Sequence, residues 1–128
     1  MTDDLVSVRY MVDDVQRAID FYTTHFGFTV RSSAAPAFAD VVRGHLRLLL
    51  SGPKSSAGRP MPDGRQPAPG GWNRLHFVVE DIAGEVERLR AAGVTFRNDI
   101  ISGPGGRQIV FDDPAGNPIE LFQPADRG

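Results

Sequence analysis

Cysteine is missing altogether from this chain of 128 residues, which excludes disulfides, zinc–thiolate centres and a thiol nucleophile. Lysine is almost missing too: Lys54 is the only one among 14 basic residues. That arginine bias, with plentiful Ala, Gly and Pro, fits a GC-rich bacterial genome and says little about activity. No apolar run approaches the roughly 20 residues of a membrane span, and Met1-Thr2-Asp3-Asp4 is too acidic to open a signal peptide. Charge of one sign is not concentrated anywhere. A net charge of −2 with scattered cations offers no groove for nucleic acid. The expectation is one cytoplasmic globular domain, large enough to bury a core without staples and with neither membrane nor nucleic acid as partner.

What is present is alternation broken by turns. Residues 5–12 alternate as a strand, with Val6, Val8, Tyr10 and Val12 on one face and Ser7 and Arg9 on the other. Asp13 or Asp14 stands where a helix N-cap belongs, and Val15, Ala18, Ile19, Tyr22 and Phe26 recur at helical spacing up to Gly27. Strands are expected at 28–32, 37–43 and 45–51. Residues 52–71 then hold five prolines and five glycines, and read as a flexible connector or as a flap over a cavity.

After the connector the opening pattern returns. A strand is expected at 72–79, with Arg74, His76 and Val78 on one face. A helix capped by Asp81 follows, with Ile82, Val86, Leu89 and Ala92 as its stripe and Gly93 at its end. Further strands are expected at 94–97 and 107–112, with a turn at 103–106. Val12-Asp13-Asp14-Val15 matches Val79-Glu80-Asp81-Ile82 at an offset of 67, and Gly44-His45 falls on Gly116-Asn117. An internal repeat of this kind means two similar units that pack as a pair. The fold class is α+β, two βαβββ repeats at about 5–51 and 72–124, paired into a half-open barrel around a cavity.

The most informative stretch is Asp112-Asp113-Pro114-Ala115-Gly116-Asn117-Pro118-Ile119-Glu120-Leu121-Phe122. Asp113-Pro114 opens a turn, Gly116-Asn117 reverses the chain, and alternation then sets Ile119 and Leu121 opposite Pro118, Glu120 and Phe122. A carboxylate at mid-strand costs free energy unless water, a cation or a donor meets it.

These features resemble the vicinal oxygen chelate superfamily, which includes glyoxalase I, extradiol dioxygenases, fosfomycin-resistance enzymes and bleomycin-binding proteins. The resemblance covers about residues 5–124 and rests on two stretches. One is the strand–Val-x-Asp–helix that ends Phe21-Tyr22…Gly27-Phe28; the other is the Asp113–Leu121 turn. Metal-using members hold a divalent ion at four inward positions, which fall here on Ser7, Leu48, Arg74 and Glu120. Only Glu120 is a plausible ligand, and a catalytic ion needs about three protein donors. The resemblance therefore implies a metal-independent binder of small molecules, without cofactor, in which Arg74 pairs with Glu120 and takes the electrostatic place of the ion.

His76 leaves an alternative open. It shares the side of Arg74, and imidazole is suited to acid–base work near neutral pH. With Glu120 it would supply the catalytic pair of a lyase, isomerase or dioxygenase-type enzyme, or two ligands of a displaced divalent metal; otherwise it is a hydrogen-bonding wall residue. With Leu48 inward, Leu46 and Leu50 are inward too and form an oily wall, unless all three are simply core. Ser7, Arg9, Leu46, Leu48, Leu50, Trp72, Arg74, His76, Glu120 and Phe122 are the candidate binding residues. The ligand would be partly apolar, with a polar or anionic group for Arg74. The resemblance also implies a homodimer.

Overall fold

A computed structural model of the chain describes residues 4–126. It divides into two compact units, Met1–Gly70 and Gly71–Gly128, each built as βαβββ. The first contains β1 (Val6–Met11), α1 (Val15–Phe26), β2 (Thr29–Ala34), β3 (Phe38–Arg43) and β4 (Leu46–Ser51). The second contains β5 (Leu75–Val78), α2 (Ile82–Ala91), β6 (Ile101–Gly103), β7 (Gly106–Asp112) and β8 (Pro118–Pro124). Each unit forms one four-stranded sheet, ordered β1-β4-β3-β2 and β5-β8-β7-β6, with a parallel pair joining its first and last strands. No helix among the described residues is long and apolar enough to cross a membrane.

Local chemistry sets the helices. The Asp14 carboxylate accepts the Arg17 N–H at 3.1 Å and that of Asp81 accepts the Gly84 N–H at 3.1 Å, each satisfying a backbone donor the helix leaves orphaned. Gly27 ends α1 in the left-handed region at φ 69. Helix α1 buries Val15, Ala18, Ile19, Phe21, Tyr22 and Phe26 against β3 and β4. Helix α2 buries Ile82, Val86 and Leu89; Ala92, expected on that stripe, is its exposed C-cap.

Register assigns the faces. In the first unit Val8 pairs with Leu48 and Tyr10 with Leu50, while Val41 and Ala39 stand opposite those leucines on β3. Directly paired residues share a sheet face, so these side chains form the helix-covered core, and Leu48 and Leu50 are fully buried there. The opposite, open face carries Ser7, Arg9 and Met11 with Arg47, Leu49 and Ser51. In the second unit Leu75, Phe77, Ile109, Phe111, Ile119 and Leu121 make the buried layer, and His76, Glu120 and Val110 share the open face.

Three expected elements come out differently. The strand foreseen at 72–79 begins only at Leu75, because its partner β8 starts at Pro118, which has no N–H to continue the ladder. Residues 94–97 make one bridge, Phe96 to Phe111, instead of a strand. The Asn98 side chain takes the Val110 N–H at 2.9 Å, which closes that ladder, and pairing resumes at β6. The connector 52–71 is also more ordered than its composition suggests: Ser56–Gly58 is a 3-10 turn, and the buried Ser55 hydroxyl donates to the Gly52 carbonyl at 2.7 Å.

Candidate functional site

The turn before β8 is built by Asp113. Its Oδ1 accepts the N–H groups of Ala115 and Asn117, both at 2.9 Å, and its Oδ2 accepts from the Asn117 amide at 3.2 Å. Carboxylate and amide are both buried, so the turn is a closed polar unit, and it delivers β8 in a set register. That register puts Glu120 beside His76.

Glu120 is itself almost fully buried. Its Oε1 accepts from Arg74 Nε at 3.0 Å and lies 3.0 Å from Arg74 Nη2. Its Oε2 lies 3.5 Å from His76 Nε2, an ion-pair contact only when the imidazole is protonated. The His76 ring packs on Phe122 with centroids 5.3 Å apart. Arg74 Nη1 donates to the Trp72 carbonyl at 3.3 Å. Arg74 thus lies outside the strand yet still reaches the acid, and three of its five N–H donors are engaged. Val78, 61% exposed, extends this face toward solvent.

A catalytic divalent ion needs about three protein donors. Glu120 and His76 would be two ligands, and a guanidinium already holds one carboxylate oxygen. Among the described residues no three His, Cys, Asp or Glu side chains gather into a metal-holding group. His76 pairs with Glu120 and, at the equivalent place, Arg9 pairs with Leu49. The first-unit counterpart of Glu120 is therefore Leu49, and neither Arg9 nor Leu49 binds a cation.

That result corrects the expected oily wall. Leu48 and Leu50 face helix α1, and Leu46 shares their parity at the start of β4. The displacement comes from aligning turn glycines that belong to turns of different length. Gly44-His45 is a two-residue reversal between Arg43 and Leu46, whereas the reversal between Asp112 and Pro118 holds five residues. A slip of one residue turns every side chain of a strand to the opposite face.

In place of Leu46, Leu48 and Leu50, the open face of the first unit carries a charged cluster beside Leu49. Asp40, fully buried in mid-strand, accepts from Ser32 Oγ, from Arg47 Nε at 2.6 Å and from Arg31 Nη1 at 3.4 Å. Burial alone would push its carboxyl up; the bonds from Ser32, Arg47 and Arg31 and the Arg47 charge outweigh it and hold the group below its ordinary 3.8. Arg9 Nη1 donates to Ser51 Oγ at 2.7 Å, and no described carboxylate lies within ion-pair distance of it. Ser7 stands beside Arg47. Asp40, Arg47, Leu49 and Ser51 were not foreseen as site residues. The signal was available: a lone carboxylate within Phe38-Ala39-Asp40-Val41-Val42 poses the same question as Glu120.

Comparison with known proteins identifies the family and the fold. The family model described as Glyoxalase/Bleomycin resistance protein/Dioxygenase superfamily matches residues 4–121. A solved member of that superfamily from Sphaerobacter thermophilus is 30% identical, with 93% of this chain and 95% of that one covered and a TM-score of 0.72. TnmS3, an antibiotic binding protein from a Streptomyces species, is 27% identical over 94% and 95% of the two chains, with a TM-score of 0.68. The fosfomycin resistance protein FosX from Mesorhizobium loti, 18% identical over 98% and 95% with a TM-score of 0.68, shares the fold. No curated protein sequence matches the chain.

Proposed function

The chain belongs to the Glyoxalase/Bleomycin resistance protein/Dioxygenase superfamily, and from that membership we propose that it is a metal-independent binder of small molecules that sequesters a drug or metabolite. The observation that carries this reading is the grip of Arg74 on Glu120, 3.0 Å from both Nε and Nη2. A cation at that carboxylate would have to displace a permanent positive charge already in contact with it. TnmS3, which binds an antibiotic, supports the reading as a relative of comparable length. The second unit offers an apolar and aromatic surface through Val78 and Phe122. Arg74, with three of its five N–H donors engaged, keeps two for a polar or anionic group. We also infer that the working form is a homodimer.

The test is a thermal-shift screen of antibiotics and aromatic metabolites, run with divalent ions and again in chelator. A ligand at a hundred times its Kd stabilises the native state by about 2.7 kcal/mol, enough to move the melting temperature by several degrees. The expected result is a shift that chelation leaves unchanged. A stoichiometric divalent ion in the purified protein, with stability lost on its removal, overturns the reading.

One observation favours a second reading, an enzyme of the lyase, isomerase or dioxygenase type. His76 Nε2 stands 3.5 Å from a carboxylate oxygen that Arg74 does not use, an arrangement that can orient an imidazole for proton transfer. Turnover abolished by His76→Gln while binding persists would establish it.

A further inference from the structure

Trp72 is the only tryptophan of the chain, and 72% of its surface is in solvent. It follows Gly70 and Gly71, both at positive φ, and lies off the strand on which the sequence places it. The indole is nevertheless held. The Arg97 guanidinium lies over the ring, 4.7 Å from its centroid. Arg97 is in turn fixed by three bonds: Nε to Asp112 Oδ1 at 2.6 Å, Nη1 to the Gly71 carbonyl at 2.8 Å and Nη2 to the Gly116 carbonyl at 3.2 Å. The Trp72 carbonyl is held separately by Arg74, the residue that grips Glu120.

A large aromatic side chain left in water gives up the stabilisation its burial would contribute. Here four hydrogen bonds and a cation–π contact hold that residue in the open. Such an arrangement lowers the entropy lost when something stacks on the ring. One face of the indole is backed by the guanidinium, and the exposure leaves the other face accessible. The surroundings are charged: Arg97, Arg74, Asp112 and Glu120 balance two against two. A protein-docking surface calls for a continuous apolar area; a single rigid ring among balanced charges suits one flat ring.

We propose that Trp72, positioned by Arg97, is a stacking platform for a planar aromatic ring, so that the small molecule bound by this chain carries a flat aromatic system. The proposal rests on the binding reading above and narrows it to a ligand class. Stacking on π-faces is indifferent to substituents but demands planarity. The platform therefore selects for shape and asks no net charge of the ring.

The test uses the whole protein labelled with 15N, whose single tryptophan gives one indole N–H resonance. The probes are 2-naphthoate and its saturated counterpart, decahydro-2-naphthoate, which has the same charge and similar size. Naphthoate should move the indole resonance upfield with saturable dose dependence and bind roughly three- to tenfold more tightly; the saturated acid should leave the resonance in place. Trp72→Leu should erase the preference with the melting temperature unchanged, and Trp72→Phe should keep most of it. Arg97→Gln should weaken the preference and shift the indole signal of the free protein, which a merely structural role in the Asp112 network would not do. Equal affinity for the two acids, or a stationary resonance at millimolar naphthoate, overturns the platform. An indole signal that moves with protein concentration also overturns it, since a second copy of the chain then covers the ring. If other compounds bind in the thermal screen while naphthoate leaves the indole untouched, the platform falls and the binding reading stands; if no compound binds, both fall.

Discussion

Asp40 and Glu120 are both carboxylates set in mid-strand and withdrawn from water, and they differ in how they are satisfied. Asp40 collects a serine hydroxyl and two guanidinium groups; Glu120 collects one guanidinium and a neighbouring imidazole. Because the folded-state pKa of Asp40 is lowered, its ionised form contributes stability that is fully present above the ordinary carboxylate value and is lost as pH falls through the lowered one. Denaturant unfolding between pH 7 and pH 2.5 should show this loss in the natural protein and a flatter acid limb in Asp40→Asn. At pH 7 the same substitution should cost about 2 kcal/mol by weakening charge-assisted bonds to a buried acceptor. An acid limb as steep as the parent's would remove Asp40 from the account. Arg74→Ala strands Glu120 with no permanent cation. The Arg74 side chain keeps 28% of its surface in water, so the loss should be about 1–3 kcal/mol rather than the larger figure for a fully buried pair. Added divalent ions should not restore it. Unchanged stability would show that the pair does not replace an ion electrostatically.

At the scale of elements, two glycines separate backbone strain from crowding. Gly27 and Gly106 both have positive φ, 69 and 146. A Cβ at Gly27 meets nothing within 4 Å, whereas one at Gly106 lands on the Gln123 carbonyl oxygen. Gly27→Ala should therefore cost only the left-handed penalty, about 1–2 kcal/mol. Gly106→Ala must also push β7 from β8 and should cost more than about 3 kcal/mol. Equilibrium unfolding of the two variants decides it, and equal costs would contradict this packing of the hairpin. The same elements show what could be read in advance. Helix caps and apolar stripes are local, so Gly27 and Asp81 were legible, Asp14 was one of two candidates, and with them both βαβββ repeats could be read. Which face a strand presents depends on pairing across the sheet. A two-residue turn was matched to a five-residue one, and Leu48 was placed where Leu49 stands. The Arg74–Glu120 pair was legible through the family resemblance, which put both residues at inward positions of the second repeat. The Arg97–Trp72 stack was not, since the two residues were expected on separate strands, 72–79 and 94–97, and nothing local joins them.

On the scale of the whole molecule, the unresolved chemistry is at the sheet edges. Strand β2 hydrogen-bonds to β3 on one side only, is six residues long, and is exposed along its whole length. Its counterpart β6 has three residues, too short to template another chain. Long edge strands invite pairing unless charge, proline or a bulge blunts them. Strand β2 has a bulge at Val30/Ser32 and Arg31, but also the exposed Val30, and a two-fold axis would let two such edges meet symmetrically. Sedimentation equilibrium at micromolar concentration should therefore give about twice the 13.9 kDa of one chain. Val30→Lys would set like charges near the axis and should raise the dimer dissociation constant at least about tenfold. The melting temperature of the dilute monomer should not change, because Val30 is already partly in water. A monomeric parent protein would refute the dimer outright. A dimer indifferent to Val30→Lys would move the contact away from β2, to the remaining edges β1 and β5. In the β5 case, Trp72 at its approach would sit close to the partner chain, and the concentration dependence of the indole signal would report it.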